Sequence, residues 1–264
     1  MFKWPASAKI ARPMTDQTIT AAIVIIGNEI LSGRTQDANL AYLATGLGEI
    51  GIKLVETRVI RDDEAAIVAT VNELRVRHTY VFTTGGIGPT HDDITSECVA
   101  KAFGVKLRLD PEAVRVLQAH YPPGFLNEAR LRMAHVPEGA TLVENPVSRA
   151  PGFRMENVFV LAGVPLVMRA MFDGIKGKLR HGAPVLSRSV TCALGEGTIA
   201  KDLTAIQARF PDIEIGSYPY FRAGGFGVSL VSRGSDAGRL AVVTEELKAM
   251  IRNLGGDPRE EQAA

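Results

Sequence analysis

Cysteine is nearly missing: Cys98 and Cys192 are the only two in 264 residues. They lie far apart and match no metal-ligand or redox spacing. Neither a zinc site nor a disulfide framework is indicated, and both read as reduced, buried thiols of a cytosolic protein. An excess of charge is missing too. Lys and Arg number 30 against 29 Asp and Glu, a net charge of +1. Such a balance gives no field to gather a nucleic acid or an anionic membrane surface. No apolar run reaches the roughly 18 residues of a membrane span. Residues 1–18 carry Lys3, Lys9 and Arg12 without the apolar segment of a secretory signal, so they read as a flexible extension in which Met14 is a second candidate start. Residues 256–264 read as a disordered tail.

Familiar catalytic signatures are missing as well. No G-x-x-x-x-G-K-[ST] occurs, which excludes a P-loop. Gly86-x-Gly88 lacks the third glycine of the dinucleotide fingerprint, and Asp92 is not about 20 residues further on. No serine sits in a G-x-S-x-G elbow. His91 has no cysteine or serine partner at a recognisable spacing and reads as a surface residue.

What is present has ordinary globular composition, 46% hydrophobic and 22% charged, in a chain long enough for one large or two smaller domains. Residues 21–27 form a short continuous apolar run, the pattern of a strand buried on both faces. A glycine-bounded loop, 27–33, follows. Asp37 caps a helix whose Leu40, Leu43, Ala44 and Leu47 share one face, and Gly48 and Gly51 stop it. A second strand, 52–60, leads to Asp62-Asp63-Glu64 and a helix bearing Ile67, Val71 and Leu74. A third strand begins at Tyr80. After it comes Thr84-Gly-Gly-Ile-Gly-Pro-Thr-His-Asp-Asp-Ile-Thr95. Ile94, Cys98, Ala102 and Phe103 then fall at helical spacing. The order β-α-β-α-β-α predicts a parallel sheet covered by helices. Ligands bind such sheets at the carboxyl ends of the strands, so loops 27–33, 61–64 and 84–93 are expected to converge there.

Later segments are shorter. Residues 105–109 form a brief apolar stretch. Asp110-Pro111-Glu112 opens a helix with a cap followed by proline in the first turn. Residues 125–134 read as a helix carrying Asn127, Arg130 and Arg132. Residues 144–152 form a turn-rich loop. Residues 153–155 are predicted to pair with a buried strand, 158–161, across Glu156-Asn157, and 162–165 open a helix reaching about Leu179. After a linker at 181–184 the pattern becomes β-α-β-β-α, a small α+β unit over 185–255. Its eight basic and seven acidic residues make no basic stripe for a nucleic acid backbone.

The central loop carries the chemistry. Gly85, Gly86 and Gly88 leave little side chain between a ligand and the backbone, and the helix that follows turns its N–H groups and positive dipole end toward them. This suits an anion, most often a phosphate. Around it stand Glu29, Asp37, Asp62, Asp63, Asp92 and Asp93. Any of these aspartates can cap a helix, yet two helices each begin with an Asp-Asp pair and one cap needs one carboxylate. The surplus acids favour a Mg²⁺-type site with few protein ligands that bridges a diphosphate. The general chemistry is attack on a phosphoanhydride or transfer of a nucleotidyl group. Asn127, Arg130 and Arg132 are candidate contacts to phosphate or base, against a solvated helix face as the alternative. Gly27, Gly33, Gly152 and Gly163 serve equally well as turn residues.

The motif from Thr84 to Thr95 closely resembles the signature of the molybdopterin-binding domain of MoaB and Mog type. The sequence is most similar to two branches, the N-terminal region of the competence- and damage-inducible CinA family and the molybdopterin-binding-like domain of FAD synthase. The matched segments carry the ligand-binding expectations. These are Gly27, Glu29, Gly33, Asp37 and Asn39 in the first loop, and Thr84, Gly85, Gly86, Gly88, Pro89 and Thr90 in the central motif. Asn127 and Arg130, Pro151 and Gly152, and Gly163 and Pro165 complete them. Ala162 departs from the family's P-G-x-P loop. The resemblance implies a three-layer α/β/α domain over 19–180 and a KH-like unit over 185–255. It implies catalytic roles for Asp62 and Asp93, with Asp62, Asp92 and Asp93 around Mg²⁺ or another divalent cation. Mog-type enzymes adenylate molybdopterin, whereas the two closer branches are associated with metal-dependent hydrolysis of ADP-ribose and with hydrolysis of FAD. The leading expectation is therefore a metal-dependent diphosphatase. Molybdopterin binding or adenylation, and a non-catalytic binding or regulatory module, remain the alternatives. The expected partners are a small nucleotide or pterin ligand and further copies of the chain, with no nucleic acid and no membrane. CinA proteins usually add a C-terminal amidase domain, and related fusions add reductase-like or adenylyltransferase domains. The sequence ends before any of these, so their activities are not carried over.

Overall fold

The computed structural model describes residues 18–222 and 225–261, so all of the expected extension but Thr18 lies outside the described residues. The chain divides into two compact units, 1–182 and 183–264.

The first unit runs β1 (Thr20–Ile26), α1 (Asn28–Leu31), α2 (Asn39–Glu49), β2 (Lys53–Ile60), α3 (Glu64–Arg77), β3 (Tyr80–Thr84) and α4 (Thr95–Phe103). It continues through β4 (Leu107–Leu109), α5 (Pro111–His120), α6 (Glu128–Leu131), β5 (His135–Pro137), β6 (Thr141–Val143), β7 (Gly152–Met155), β8 (Val158–Leu161) and α7 (Pro165–Lys176). Its main sheet has the order β2-β1-β3-β8-β7-β6. The first four strands are parallel; β7 runs the other way, and β6, antiparallel to β7, restores the common direction at the edge. The apolar run of β1 explains the layering. Ala21, Ile23 and Ile25 join one core with Leu43 and Leu47 of α2 and Met168 and Phe172 of α7. Ala22, Val24 and Ile26 join the other with Ile67, Val71 and Leu74 of α3 and Cys98 and Val99 of α4. One strand therefore feeds two cores, because its side chains alternate between faces. At the centre, Phe82 stacks on Phe159 at 5.2 Å and meets Phe172 edge-on at 6.0 Å. This is the α/β/α sandwich the pattern predicts. The hairpin across Glu156-Asn157 also forms, with Glu156 at φ 50°.

One expectation for this unit is corrected, and two strands carry no sequence signal. The helix over 125–134 is only α6 and a 3₁₀ turn at Arg132–Ala134. Asn127 caps α6 by accepting from the Arg130 N–H at 3.0 Å, so the chain before it is not helical. The strands β5 and β6, three residues each, are too short to leave a periodic signal.

The second unit runs β9 (Leu186–Cys192), α8 (Glu196–Arg209), β10 (Glu214–Arg222), β11 (Gly225–Gly234), α9 (Ala237–Asn253) and β12 (Arg259–Glu261). The antiparallel sheet order is β10-β11-β9-β12. Val190, Ile199, Val228, Leu230, Leu240 and Leu247 build a core of its own. The predicted β-α-β-β-α is present, but part of the tail expected to be disordered forms β12. Gly255, at φ 81°, turns the chain back after α9, and Lys248 then pairs with Glu260 at 2.6 Å. At the opposite edge, Pro219 lies within β10, where it lacks the N–H donor of other residues, a feature that suits an edge strand. No helix among the described residues is long and apolar enough to cross a membrane.

Candidate active site

Three strand ends meet where the sequence predicts. Gly85, at φ 102°, lies against the end of β1 so closely that a Cβ there would stand 2.2 Å from the Ile26 carbonyl oxygen. Gly27 N–H donates to the Ile60 carbonyl at 3.1 Å, which joins the ends of β1 and β2. The loop after β8 closes the fourth side: a Cβ on Gly163 would come within 3.2 Å of the Gly85 Cα. Asn39, buried at the start of α2, donates its Nδ2 to the Gly163 carbonyl at 2.8 Å. That bond fixes the amide's orientation, and among the described residues Oδ1 is buried without a partner; the Thr83 and Thr84 hydroxyls at the end of β3 are likewise buried and unpartnered there.

Thr95 anchors the glycine loop. Its N–H donates to the Gly86 carbonyl at 2.9 Å and its hydroxyl to the Gly85 carbonyl at 3.1 Å. Gly86 has φ 68°, and a Cβ on it would stand 2.1 Å from the Thr95 Oγ1. Thr95 is fully buried, and sequence reasoning gave it no role. Its signal was its place as the last residue of the motif and the first of α4. The N–H of Thr95 is thus engaged within the protein, while those of Ser96 and Glu97, in the first turn of α4, have no acceptor among the described residues.

The acids divide by task. Asp63 caps α3, accepting from Ala66 N–H at 2.9 Å. Its neighbour Asp62 reaches instead to the first loop, where its Oδ2 accepts from Asn28 N–H at 2.8 Å. Asp37, expected to cap α2, stands one residue before its N-cap Ala38 and accepts from the Leu40 N–H at 2.8 Å in the first turn. Neither Asp92 nor Asp93 caps α4, whose N-cap residue is Ile94. Both turn to Thr90, whose N–H donates to Asp93 Oδ2 at 2.8 Å and whose hydroxyl reaches Asp92 Oδ1 at 2.6 Å. The Thr90 hydroxyl holds the Asp92 carboxyl below the ordinary carboxylate range, and nearby His91 adds to the effect. Asp93 rests against Gly88 and Glu29 against Gly27: a Cβ at either glycine would lie 2.6 Å or 2.5 Å from the carboxylate. His91 is exposed.

Among the described residues no three of these groups converge as a metal cage, so the expected set of Asp62, Asp92 and Asp93 does not assemble as one. The donors are hard oxygens in ones and twos. They fit Mg²⁺ held chiefly by phosphates and water, the usual manner for that ion.

Other expected ligand residues serve local structure. Asn127 is the cap of α6, and Arg130 donates to the Phe125 carbonyl and lies over the Tyr121 ring at 4.6 Å. Gly152 permits β7 to approach β8, since a Cβ would meet the Val160 carbonyl at 2.2 Å. Pro165 starts α7 in its first turn. Gly33 makes a left-handed turn at φ 72°, and Pro89 is exposed. Both cysteines are buried, and burial pushes the Cys98 thiol up to about 11.

Comparison with known proteins agrees with this geometry. Residues 22–181 match the model of a probable molybdopterin binding domain, and residues 184–255 match the middle domain of FAD synthase. The chain is 33% identical to Protein TK1472 of Thermococcus kodakarensis over 87% of its own length and 96% of that protein. It is 29% identical to a probable FAD synthase of Caenorhabditis elegans, covering 92% of this chain and 52% of that one, so it spans about half of that relative. Among solved structures, the protein CinA of Thermoplasma acidophilum superposes with a TM-score of 0.57 at 34% identity, covering 60% of this chain and 96% of that one.

Proposed function

This chain belongs to the molybdopterin-binding-domain family, and from that premise we propose that it is a metal-dependent diphosphatase acting on an adenylated dinucleotide-like substrate such as ADP-ribose or FAD. The observation that supports this reading is the division of labour within the Asp62-Asp63 pair. Asp63 satisfies the helix, so Asp62 turns to the first loop, where one oxygen is held by the Asn28 N–H and the other has no hydrogen-bond partner among the described residues. The similarity of residues 184–255 to the FAD synthase middle domain points the same way.

In this reading the substrate's diphosphate lies along Gly85, Gly86 and Gly88, near the N–H groups of Ser96 and Glu97. Asp93, held against Gly88 by Thr90, and Asp92 beside it would hold the divalent cation together with the phosphates. When bound, such an ion shields the phosphate charge and polarises phosphorus. The second oxygen of Asp62 orients a water and takes its proton. The water oxygen bonds to the phosphorus of the adenylyl group, the anhydride P–O bond breaks, and the departing phosphate takes the negative charge, giving AMP and a second phosphate.

Incubation with ADP-ribose and FAD in the presence of Mg²⁺ or Co²⁺ tests this directly. AMP release by the protein, lost in Asp62→Asn and Asp93→Ala, is the expected result. Absence of AMP under every condition, or equal release by both variants, overturns it. The family model also favours a second reading, binding or adenylation of molybdopterin. Calorimetry with molybdopterin, with and without ATP, separates the two.

A further inference from the structure

Strand β2 ends the six-stranded sheet, so its outer side has no strand partner among the described residues. Such an edge invites another strand, and proteins usually blunt it with proline, short length or charge. The edge strand β10 of the second sheet carries Pro219, and β6, at the far edge of the first, has three residues. By contrast β2 has eight residues and no proline. Its open face is β-branched. Val55 is 46% exposed and Val59 40%, with Thr57 exposed between them. Side chains of this kind favour strand pairing.

The backbone of β2 is in phase for a further strand. The Ile60 carbonyl accepts from the Gly27 N–H and so faces β1. In a parallel ladder both backbone groups of one residue point to the same side, and successive residues alternate. Thr57 and Val59 therefore turn their N–H and C=O outward. The register with β1 shifts between Ala21 and Ala22, so Val55 has no residue of β1 opposite it.

Residues 55–59 read Val-Glu-Thr-Arg-Val. Antiparallel pairing with a second copy, about a two-fold axis at Thr57, sets Thr57 opposite Thr57, Val55 opposite Val59 and Glu56 opposite Arg58. Each of these is a favourable cross-strand pair. Leu54 opposite Ile60 extends the match. The outward groups of Thr57 make the central pair a hydrogen-bonded one. Glu56 and Arg58 then fall in the alternate pairs, where facing side chains come closest. An axis moved to Glu56 or to Arg58 sets like charges face to face. The strand that fits this edge is thus the same strand from another copy, and a two-fold contact closes on itself.

The charged face is balanced. Arg58 forks onto Glu73 of α3 at 2.6 Å and donates Nε to Glu56 at 2.7 Å. Arg77 meets both acids, at 3.3 Å and 2.7 Å. Two cations stand against two anions, so bringing two copies together gathers no net charge. Val76, three residues after Glu73 and so on the same side of α3, is 76% exposed and adds apolar surface beside the strand.

We propose that β2 is a self-pairing edge: two copies of the chain join antiparallel through residues 55–59, centred on Thr57, and their six-stranded sheets become one. The two β2 strands run in opposite directions, so each copy's Asp62 lies at an opposite end of the contact. The proposal is independent of the diphosphatase reading. Sedimentation velocity of the intact protein over a concentration series reads it. The expected result is a reversible monomer–dimer equilibrium. Thr57→Pro, which removes an outward N–H that the chain's own ladder does not use, leaves only monomer. Val55→Lys with Val59→Lys sets like charges across the contact and weakens the dimer about tenfold to a hundredfold. Val55→Glu with Val59→Lys sets opposite charges there and restores it. Val55 and Val59 are exposed, so these two double variants fold whether or not Thr57→Pro does. A monomer at every concentration, or a dimer indifferent to Thr57→Pro and to the paired lysines, overturns the proposal. A Glu/Lys variant that associates no better than the Lys/Lys one overturns the register.

Discussion

Asp62 and Asp63 are adjacent and chemically identical, yet one ends a helix and the other faces a loop 34 residues earlier in the chain. The difference is one of direction: neighbouring side chains at a strand end point apart, so only one can reach the new helix. Removing the cap, Asp63→Ala, is expected to cost about 0.5–2 kcal/mol in urea unfolding with little effect on catalysis, and Asp62→Asn the reverse. The pair at 92–93 carries a pH signature. The Thr90 hydroxyl lowers the Asp92 carboxyl, and His91 assists. A carboxyl lowered by folding contributes stability above the unfolded range, near 3.9, and that contribution fades as pH falls through its lower folded value. In Thr90→Val the Asp92 carboxyl carbon is therefore expected to titrate at higher pH by NMR; an unmoved titration refutes the assignment. Gly86→Ala combines a left-handed φ with a clash on Thr95 and is expected to destabilise by about 1–3 kcal/mol or more in the same unfolding assay.

Elements with a strong period were readable; those without were not. The continuous apolar run of β1, the i, i+4, i+7 face of α3 and the proline after the Asp110 cap each encode their own structure locally. The short strands β5 and β6 do not, because three residues carry no period, and β12 depends on a partner strand far away. The same distinction applies to the site. The glycine loop and paired aspartates were legible as chemistry, and their convergence followed from the parallel topology. One feature of the site's surroundings was not legible. Thr95 reads in sequence as an ordinary first helical residue. Its hold on the Gly85 and Gly86 carbonyls depends on contacts that only folding brings about. The central layer carries its own expectation. Phe82→Ala removes a ring buried between Phe159 and Phe172, and about 3–5 kcal/mol of stability should be lost, read from the urea midpoint at unchanged slope.

At the scale of the whole molecule, each unit has its own core. Residues 183–264 expressed alone should therefore give a dispersed proton–nitrogen spectrum and a single cooperative transition; a collapsed spectrum would show that the unit cannot stand by itself. The first unit carries a different consequence in its strand order. Strand β8 sits between β3 and β7, although about 75 residues separate it from β3 in the chain. During synthesis, then, the glycine loop and both aspartate pairs emerge long before the strand that completes their sheet. Until β8 arrives, β3 is an open edge of apolar residues ready to pair with any passing strand. The nascent chain is most vulnerable to aggregation in that interval, and chaperone capture of a ribosome-bound intermediate is expected to peak before residue 161 has left the exit tunnel.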